Sequence, residues 1–427
     1  MRCTFAVGPA DASCRDAEWS MAFEEEATVA SVMRGFPPAR EGQVTLANWR
    51  SPPFHRWAFQ HVRELIPTVE IANDPGAVWA LCSAPIDTKD VRIERGGAAP
   101  LSFDAFLAET STDAIAILYR GRIAYECYRN GMGPDTPHIL MSVSKSILGL
   151  LAGALVARGM LDPDALVTSI IPELGETAYA GASIRQLLDM RTGVAFDEDY
   201  LATSGDIVTY RQATGWNPVS PGQPVSDLRS FYQEMRRTRG AHGGVFDYIS
   251  PNTDLLGWVL ERVAGKRYAD LISELIWRPI GASTPAYITV DRLGAPRCAG
   301  GMCATVMDLA RVGQLIVNGG ARGGRQILAA EWIDDITEGG DPDAWDTGSL
   351  AHYFANIPLH YRNQWYVLRD QPPLLMALGI HGQYLFVDQT REIVIAKTSS
   401  QDLPLDAQQI AMTLQAVSQI REWITRA

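Results

Sequence analysis

From Met141 to Gly159 the chain reads MSVSKSILGLLAGALVARG, a small-and-apolar stretch that is too long for a strand and stops at a glycine. It predicts a helix that is stable only when other elements enclose it. Its longest apolar run, Ile147 to Ala157, is roughly half of what spans a bilayer, so the helix belongs in a protein core. The 427 residues provide for such a core in about two or three structural units, or in one domain with a large insertion. Hydrophobic residues at 47% and charged residues at 20% argue against long disorder.

The flanking patterns say what encloses the helix. Before it, AIAILYRGRIAYECY (114–128) has β-branched and aromatic residues on both sides of Arg120-Gly121-Arg122, which predicts a hairpin. A second hairpin is expected where Gln383 to Val387 and Ile393 to Lys397 flank Asp388-Gln389-Thr390-Arg391. Ile410, Leu414, Val417, Ile420 and Ile424 stand at helical spacing and predict a terminal helix packed on a sheet made from the two hairpins. Between Met160 and Trp277 strand-like runs give way to helical periodicity in Ile184–Met190, Leu228–Met235 and Asp254–Val263, and Asp308–Val317 forms a further helix. The expected fold class is α/β, an antiparallel sheet flanked by helices, with residues 45–160 and 290–427 as the body and 161–289 as a mostly helical insertion. Residues 1–44, rich in Ala, Glu and Pro, read as an appended arm, with ordered structure expected from about Thr45. Trp57 and Phe59 should anchor the segment after it on the body.

Charge and cysteine use narrow the function. Asp plus Glu outnumber Lys plus Arg 49 to 37, a net charge of -12 that disfavours nucleic acid and anionic membranes as partners. The start lacks a basic stretch followed by an apolar one, so a cytoplasmic location is expected. Cys3, Cys14, Cys82, Cys127, Cys298 and Cys303 lack the spacing of a disulfide scaffold and are expected as reduced thiols. There is no C-x-x-C and no H-E-x-x-H, and the seven histidines are dispersed, so no metal is expected.

The chemistry centres on Ser142 and Lys145, three apart at the head of the buried helix and therefore on one face of it. A lysine desolvated among Ile147, Leu148, Leu151 and Leu155 has a lowered pKa, and its neutral amine can take the serine proton. A serine capping the helix beside a lysine that reaches solvent is the competing reading. The G-x-S-x-G elbow of α/β-hydrolases is absent, which argues against a Ser-His-Asp triad on that fold.

Several ordered strings settle the comparison. Gly159-Met160-Leu161-Asp162, Ile171-Pro172-Glu173-Leu174, Ser183 to Leu188 with Thr192-Gly193, and Ala299-Gly300-Gly301-Met302 with Asp308 to Arg311 resemble segments of one family. It comprises the serine hydrolases related to class C β-lactamases and penicillin-binding proteins, and the nylon-oligomer (6-aminohexanoate-dimer) hydrolases are the most similar branch. The resemblance runs from about Thr45 to the C-terminus and implies a β-lactamase/transpeptidase-like fold. It also implies a tyrosine as a further catalytic group, which Tyr248 of Phe246-Asp247-Tyr248-Ile249-Ser250 supplies; a packed core tyrosine is the plainer alternative. By the same resemblance Ser250 holds Lys145 or substrate, and the backbone N–H groups of Ser142 and Ile380 form an oxyanion hole.

Other positions are left with two readings. Tyr200 either covers substrate or closes the cleft for stability, and Trp365 and Tyr366 are candidates for an aromatic wall. His381 either lines the pocket or is a strand histidine bonded to backbone. Asn252 is expected to cap the helix that follows it. Lys397-Thr398-Ser399 imitates the K-T-G of lactamases but lies on the wrong strand of the last hairpin. By the resemblance that motif belongs on the strand that opens the hairpin, where this chain reads Ala377-Leu378-Gly379-Ile380-His381-Gly382-Gln383 and keeps only the glycine. Ala299 stands where the nylon-oligomer branch has a polar amide. The resemblance thus implies a serine amidase or esterase that works through an acyl-enzyme on a small linear amide or ester without a cofactor. A β-lactamase, a D-amino peptidase, a carboxylesterase or a penicillin- or peptide-binding module without turnover are the alternatives, and the assembly, a homodimer included, is left open.

Overall fold

The structure is a computed structural model that describes residues 31–95, 97–354 and 357–426. The elements that position the site are, in chain order, β1 (Thr68–Ile71), β2 (Cys82–Ser83), α1 (Phe103–Glu109), β3 (Thr112–Tyr119), β4 (Arg122–Tyr128), β5 (His138–Ile139) and α2 (Val143–Val156). There follow α3 (Ile184–Leu188), α4 (Asp206–Ala213), α5 (Leu228–Glu234), α6 (Ser250–Ala264), β6 (Ala286–Thr289), β7 (Met302–Ala304) and α7 (Val306–Val317). The chain closes with β8 (Leu359–Arg362), β9 (Trp365–Leu368), β10 (Leu374–Gly379), β11 (Gln383–Asp388), β12 (Ile393–Ser399) and α9, preceded by α8 (Ala330–Glu338); α9 spans Ala407–Ile424.

Eight strands form the main sheet in the order β8-β9-β10-β11-β12-β3-β4-β2, antiparallel except where β2 runs parallel to β4. The two expected hairpins lie at its centre, joined through β12 and β3 with Ile395 opposite Ile117. Arg120 and Gly121 both take positive φ, the backbone a two-residue hairpin turn needs to match the strands' twist. Both sheet faces are covered, so β3 is buried along its length rather than on alternate residues. Ala114, Ala116 and Leu118 meet the core shared with α2 and α7, while Ile115 and Ile117 meet the core of α1 and α9. A smaller sheet, β1-β6-β7-β5, brackets the entry to α2.

Two expectations change. The sheet has eight strands rather than the four of the hairpins, because β2 and β8 to β10 are short or buried on both faces and lack a period-2 signal. Packing also starts before Thr45: Val32 and Val44 are buried with Trp49, Phe59, Trp216 and Tyr287. Residues 1–30 of the expected arm, with Cys3 and Cys14, lie outside the described residues. The 161–289 segment holds α3 to α6 but ends in β6, a strand of the smaller sheet. No helix among the described residues is long and apolar enough to cross a membrane.

α2 is buried from Val143 to Leu155, as its composition demands. Gly149 lets the chain at Asn363 approach its backbone so closely that an added Cβ would lie 2.1 Å from the Asn363 carbonyl oxygen. Gly149→Ala is therefore expected to cost about 1–3 kcal/mol through overpacking. Urea unfolding should show this as a lower midpoint.

Candidate active site

Ser142 stands at the N-terminus of α2 and its side chain caps nothing. Its Oγ lies 2.9 Å from Lys145 Nζ, and that lysine is 1% exposed, so it does not reach solvent. Nζ also contacts Ser250 Oγ at 3.1 Å and the Ala299 carbonyl at 2.6 Å. Burial pushes the Lys145 pKa down to about 7, with Glu198 opposing the shift and Arg297 adding to it. A neutral amine has two N–H donors and one lone pair. With Ser250 and the Ala299 carbonyl accepting those two, the lone pair faces the Ser142 hydroxyl, which can donate to it.

The surroundings hold this amine in place. Ser250, first residue of α6, gives its hydroxyl to Glu198, whose second oxygen accepts the Ser250 N–H at 2.7 Å. Asp254, one turn further along α6, accepts the Ala299 N–H at 2.6 Å and so aims the Ala299 carbonyl at Lys145. Asp254 is itself paired with Arg297, whose guanidinium sits 4.3 Å from the Tyr210 ring centroid and 5.0 Å from that of Trp216. The Tyr248 ring centroid lies 4.9 Å from Lys145 Nζ and 6.5 Å from the stacked ring of Tyr366. Burial raises the Tyr248 pKa, and a hydrogen bond with Ser142 pulls against it, so the phenol is protonated at neutral pH.

A narrow cavity of about 50 Å³ opens at Ser142, lined by Tyr200, Tyr248, Tyr366, Leu378, Ile380 and Tyr384 among others. A wider cleft of about 320 Å³ shares Tyr200 and Tyr248 with it. The hollow of about 810 Å³ between Trp345 and Arg369 contains none of these groups. The tip joining β10 to β11 is pressed against the nucleophile: a Cβ on Gly379 would stand 3.1 Å from the Ser142 nitrogen and 2.8 Å from the Leu140 carbonyl. Among the described residues the N–H groups of Ser142 and Ile380, both at this cavity, donate to no protein acceptor. The residues beside them, Met141 and His381, are held at φ of 45° and 60°. That left-handed backbone costs a non-glycine residue of order 1–3 kcal/mol and is found where surroundings fix a functional geometry.

The β-lactamase family profile matches residues 103–418. The chain belongs to the β-lactamase family. It is 35% identical over 365 residues to the 6-aminohexanoate-dimer hydrolase of Paenarthrobacter ureafaciens, covering 86% of this chain and 90% of that protein. Esterase EstB of Burkholderia gladioli is 30% identical over 171 residues, 38% of this chain and 41% of the esterase. A solved Bacillus anthracis protein, described as a candidate 6-aminohexanoate-dimer hydrolase, superimposes with a TM-score of 0.83 at 25% identity, over 92% of this chain and 99% of that one. This β-lactamase-family protein is a serine hydrolase of the amidase and esterase kind with the β-lactamase/transpeptidase-like fold.

Within that family member the structure brings Ser142, Lys145, Tyr248, Ser250, Tyr200, Tyr366 and Ile380 to one place. Three expectations are corrected. His381 does not line the cavity: its Nδ1 donates to the Gln401 carbonyl at 2.7 Å, it packs against Phe59 and His55, and burial pushes its pKa down to about 3. Trp365 is fully buried and donates to the Ser146 carbonyl, so only Tyr366 faces the cavity. Asn252 caps nothing, because α6 starts earlier with Ile249 at its cap; the Asn252 amide oxygen accepts from Tyr179 and Thr192. Ala299, in the place of the nylon-oligomer branch's polar amide, takes part through its backbone rather than a side chain. The rejected Lys397 lies buried over the Tyr384 ring and donates to Ser399.

Glu198, Asp254 and Arg297 escaped the sequence reading. Asp197-Glu198-Asp199 is an acidic run beside Tyr200 in which nothing local singles out the middle residue. Gly379→Ala should lower kcat at least about tenfold, since it pushes the hairpin tip away from Ser142. Unchanged kcat would mean the tip is not needed there.

Proposed function

We propose that the protein hydrolyses a small linear amide or ester, of the 6-aminohexanoate-dimer type, through an acyl-enzyme on Ser142. The observation that carries this reading is the Lys145 amine, buried and 2.9 Å from Ser142 Oγ. Ser142 Oγ bonds to the substrate carbonyl carbon as its proton passes to Lys145 Nζ. The carbonyl electron pair moves onto oxygen, which the Ser142 and Ile380 N–H groups receive. On collapse the bond to the leaving nitrogen or oxygen breaks, and Tyr248 supplies the proton it takes away. The Lys145 ammonium returns a proton to Tyr248, resetting the pair. Water then attacks the acyl-enzyme by the same steps, and the acid product leaves.

Glu198, Asp254 and Arg297 act as positioning residues, since they hold Ser250 and the Ala299 carbonyl against Lys145. β10 carries no basic residue before Gly379, which supports a linear amide or ester over a β-lactam whose carboxylate needs one there. The acidic balance supports a small molecule rather than nucleic acid as the partner. Thiols outside disulfides at Cys82, Cys298 and Cys303 fit a cytoplasmic setting.

Ser142→Ala should reduce p-nitrophenol release from p-nitrophenyl butyrate by at least about 10³-fold. Full retention would remove Ser142 from the reaction. Only the neutral amine accepts a proton, so log kcat/KM should rise with unit slope with pH below about 7 and level off above it. A profile flat from pH 5 to pH 9 would overturn Lys145 as the base.

A further inference from the structure

The Ile380 N–H donates to no protein acceptor among the described residues, so its neighbours set its direction. His381 and Gly382, which follow it, take φ of 60° and 85°, two left-handed positions in succession in the turn that joins β10 to β11. Asn-Gly is the pair such a turn ordinarily takes, because asparagine adopts that backbone readily. A histidine in the first position gives up that ease, and its ring stands in a closed set of contacts instead. It packs edge-on against Phe59 at 5.2 Å and tilted against His55 at 5.9 Å between ring centroids. Burial pushes its pKa down to about 3, so the ring is neutral and carries one N–H. With the Gln401 carbonyl 2.7 Å from Nδ1, that nitrogen is the donor.

The backbone adds to this hold. The His381 N–H donates to the Pro404 carbonyl at 3.0 Å and the His381 carbonyl accepts from the Gln401 N–H at 3.2 Å, so three bonds fasten the turn to residues 401–404. The two segments lie so close that a Cβ on Gly382 would stand 2.6 Å from the Gln401 carboxamide carbon. The fastening segment is itself anchored. His55 Nε2 lies 2.9 Å from the Ser400 carbonyl, and the Ser400 hydroxyl donates to Asp113. Asp113 also meets His138 Nε2 at 3.1 Å, and His138 lies on β5, which leads directly to Ser142. The Ser142 and Ile380 ends of the site thus rest on one buried polar network, and the His381 ring links it to the Ile380 end.

We propose that His381 is a positioning residue of the oxyanion site: its Nδ1–H bond to the Gln401 carbonyl fixes the turn that aims the Ile380 N–H at the acyl oxygen. This rests on the acyl-enzyme reading above and deepens it. The ring does not line the cavity and moves no proton, so it acts through Ile380. An N–H donor stabilises the transition state when it is aimed beforehand at the position where charge develops. Formation and breakdown of the acyl-enzyme both pass through that charge. A misaimed Ile380 therefore slows both by a similar factor and leaves KM in place.

The test measures p-nitrophenyl butyrate turnover by His381→Gly and His381→Asn. Both residues tolerate a φ near that of His381, and only asparagine keeps an N–H donor in the place of Nδ1. His381→Gly should lower kcat at least about tenfold with KM within about threefold, and His381→Asn should keep kcat within about threefold of wild type. Unchanged kcat in His381→Gly, or a loss carried by KM, would overturn the proposal. An equal loss of kcat in both variants would also overturn it, by assigning the effect to lost ring packing. If His381→Gly does not fold, nitrogen-15 NMR of the histidine-labelled wild-type protein decides. The proposal requires the neutral Nδ1–H form of His381 at neutral pH, and the Nε2–H form would overturn it. Absence of turnover by the wild-type protein would instead count against the hydrolase reading, and the proposal falls with it.

Discussion

The burial of one amine organises this protein. Lys145 is placed one helical turn after Ser142 in a helix with no polar face, and α2 can exist only because the main sheet, α6 and Trp332 of α8 enclose it. The same enclosure strips water from Lys145 and leaves its amine near the point of losing a proton at neutral pH. Fold stability and reactivity therefore share a cause. A lysine free to reach solvent at this position would be a cation and could not take the serine proton.

A buried amine of this kind needs partners that accept its N–H bonds without restoring a full charge beside it. Ser250 and the Ala299 carbonyl, both uncharged, fill that role. The acids stand one step back: Glu198 acts through Ser250, and Asp254 acts through the Ala299 N–H while neutralised by Arg297. Removing Glu198 or Asp254 would thus disturb aim and lower the Lys145 pKa further, since both charges oppose the shift. Tyr248 complements the amine, since burial favours its neutral phenol and so a proton to give.

What could be read from the chain was local. The three-residue spacing of Ser142 and Lys145 and the apolar run behind them carried both the nucleophile and the base, because helical geometry alone puts them together. The hairpin turn at Arg120-Gly121 and the spacing along the terminal helix were equally plain. Tyr248 and Ile380 came only from family resemblance, as no local pattern ties them to Ser142. Glu198, Asp254 and Arg297 were hidden, since their meaning lies in contacts between segments far apart in sequence. His381 shows the converse: the sequence leaves a pocket residue and a strand histidine bonded to backbone both open, and the Gln401 carbonyl decides for the second.

The central claim is that Lys145 loses its proton near pH 7 in the folded protein, and its own titration tests this most directly. Nitrogen-15 NMR of lysine-labelled protein, with the Lys145 side-chain resonance assigned by its loss in Lys145→Arg, would follow that proton. The account predicts a midpoint near 7. A Lys145 resonance that stays charged up to the ordinary lysine range, about 10, would contradict it.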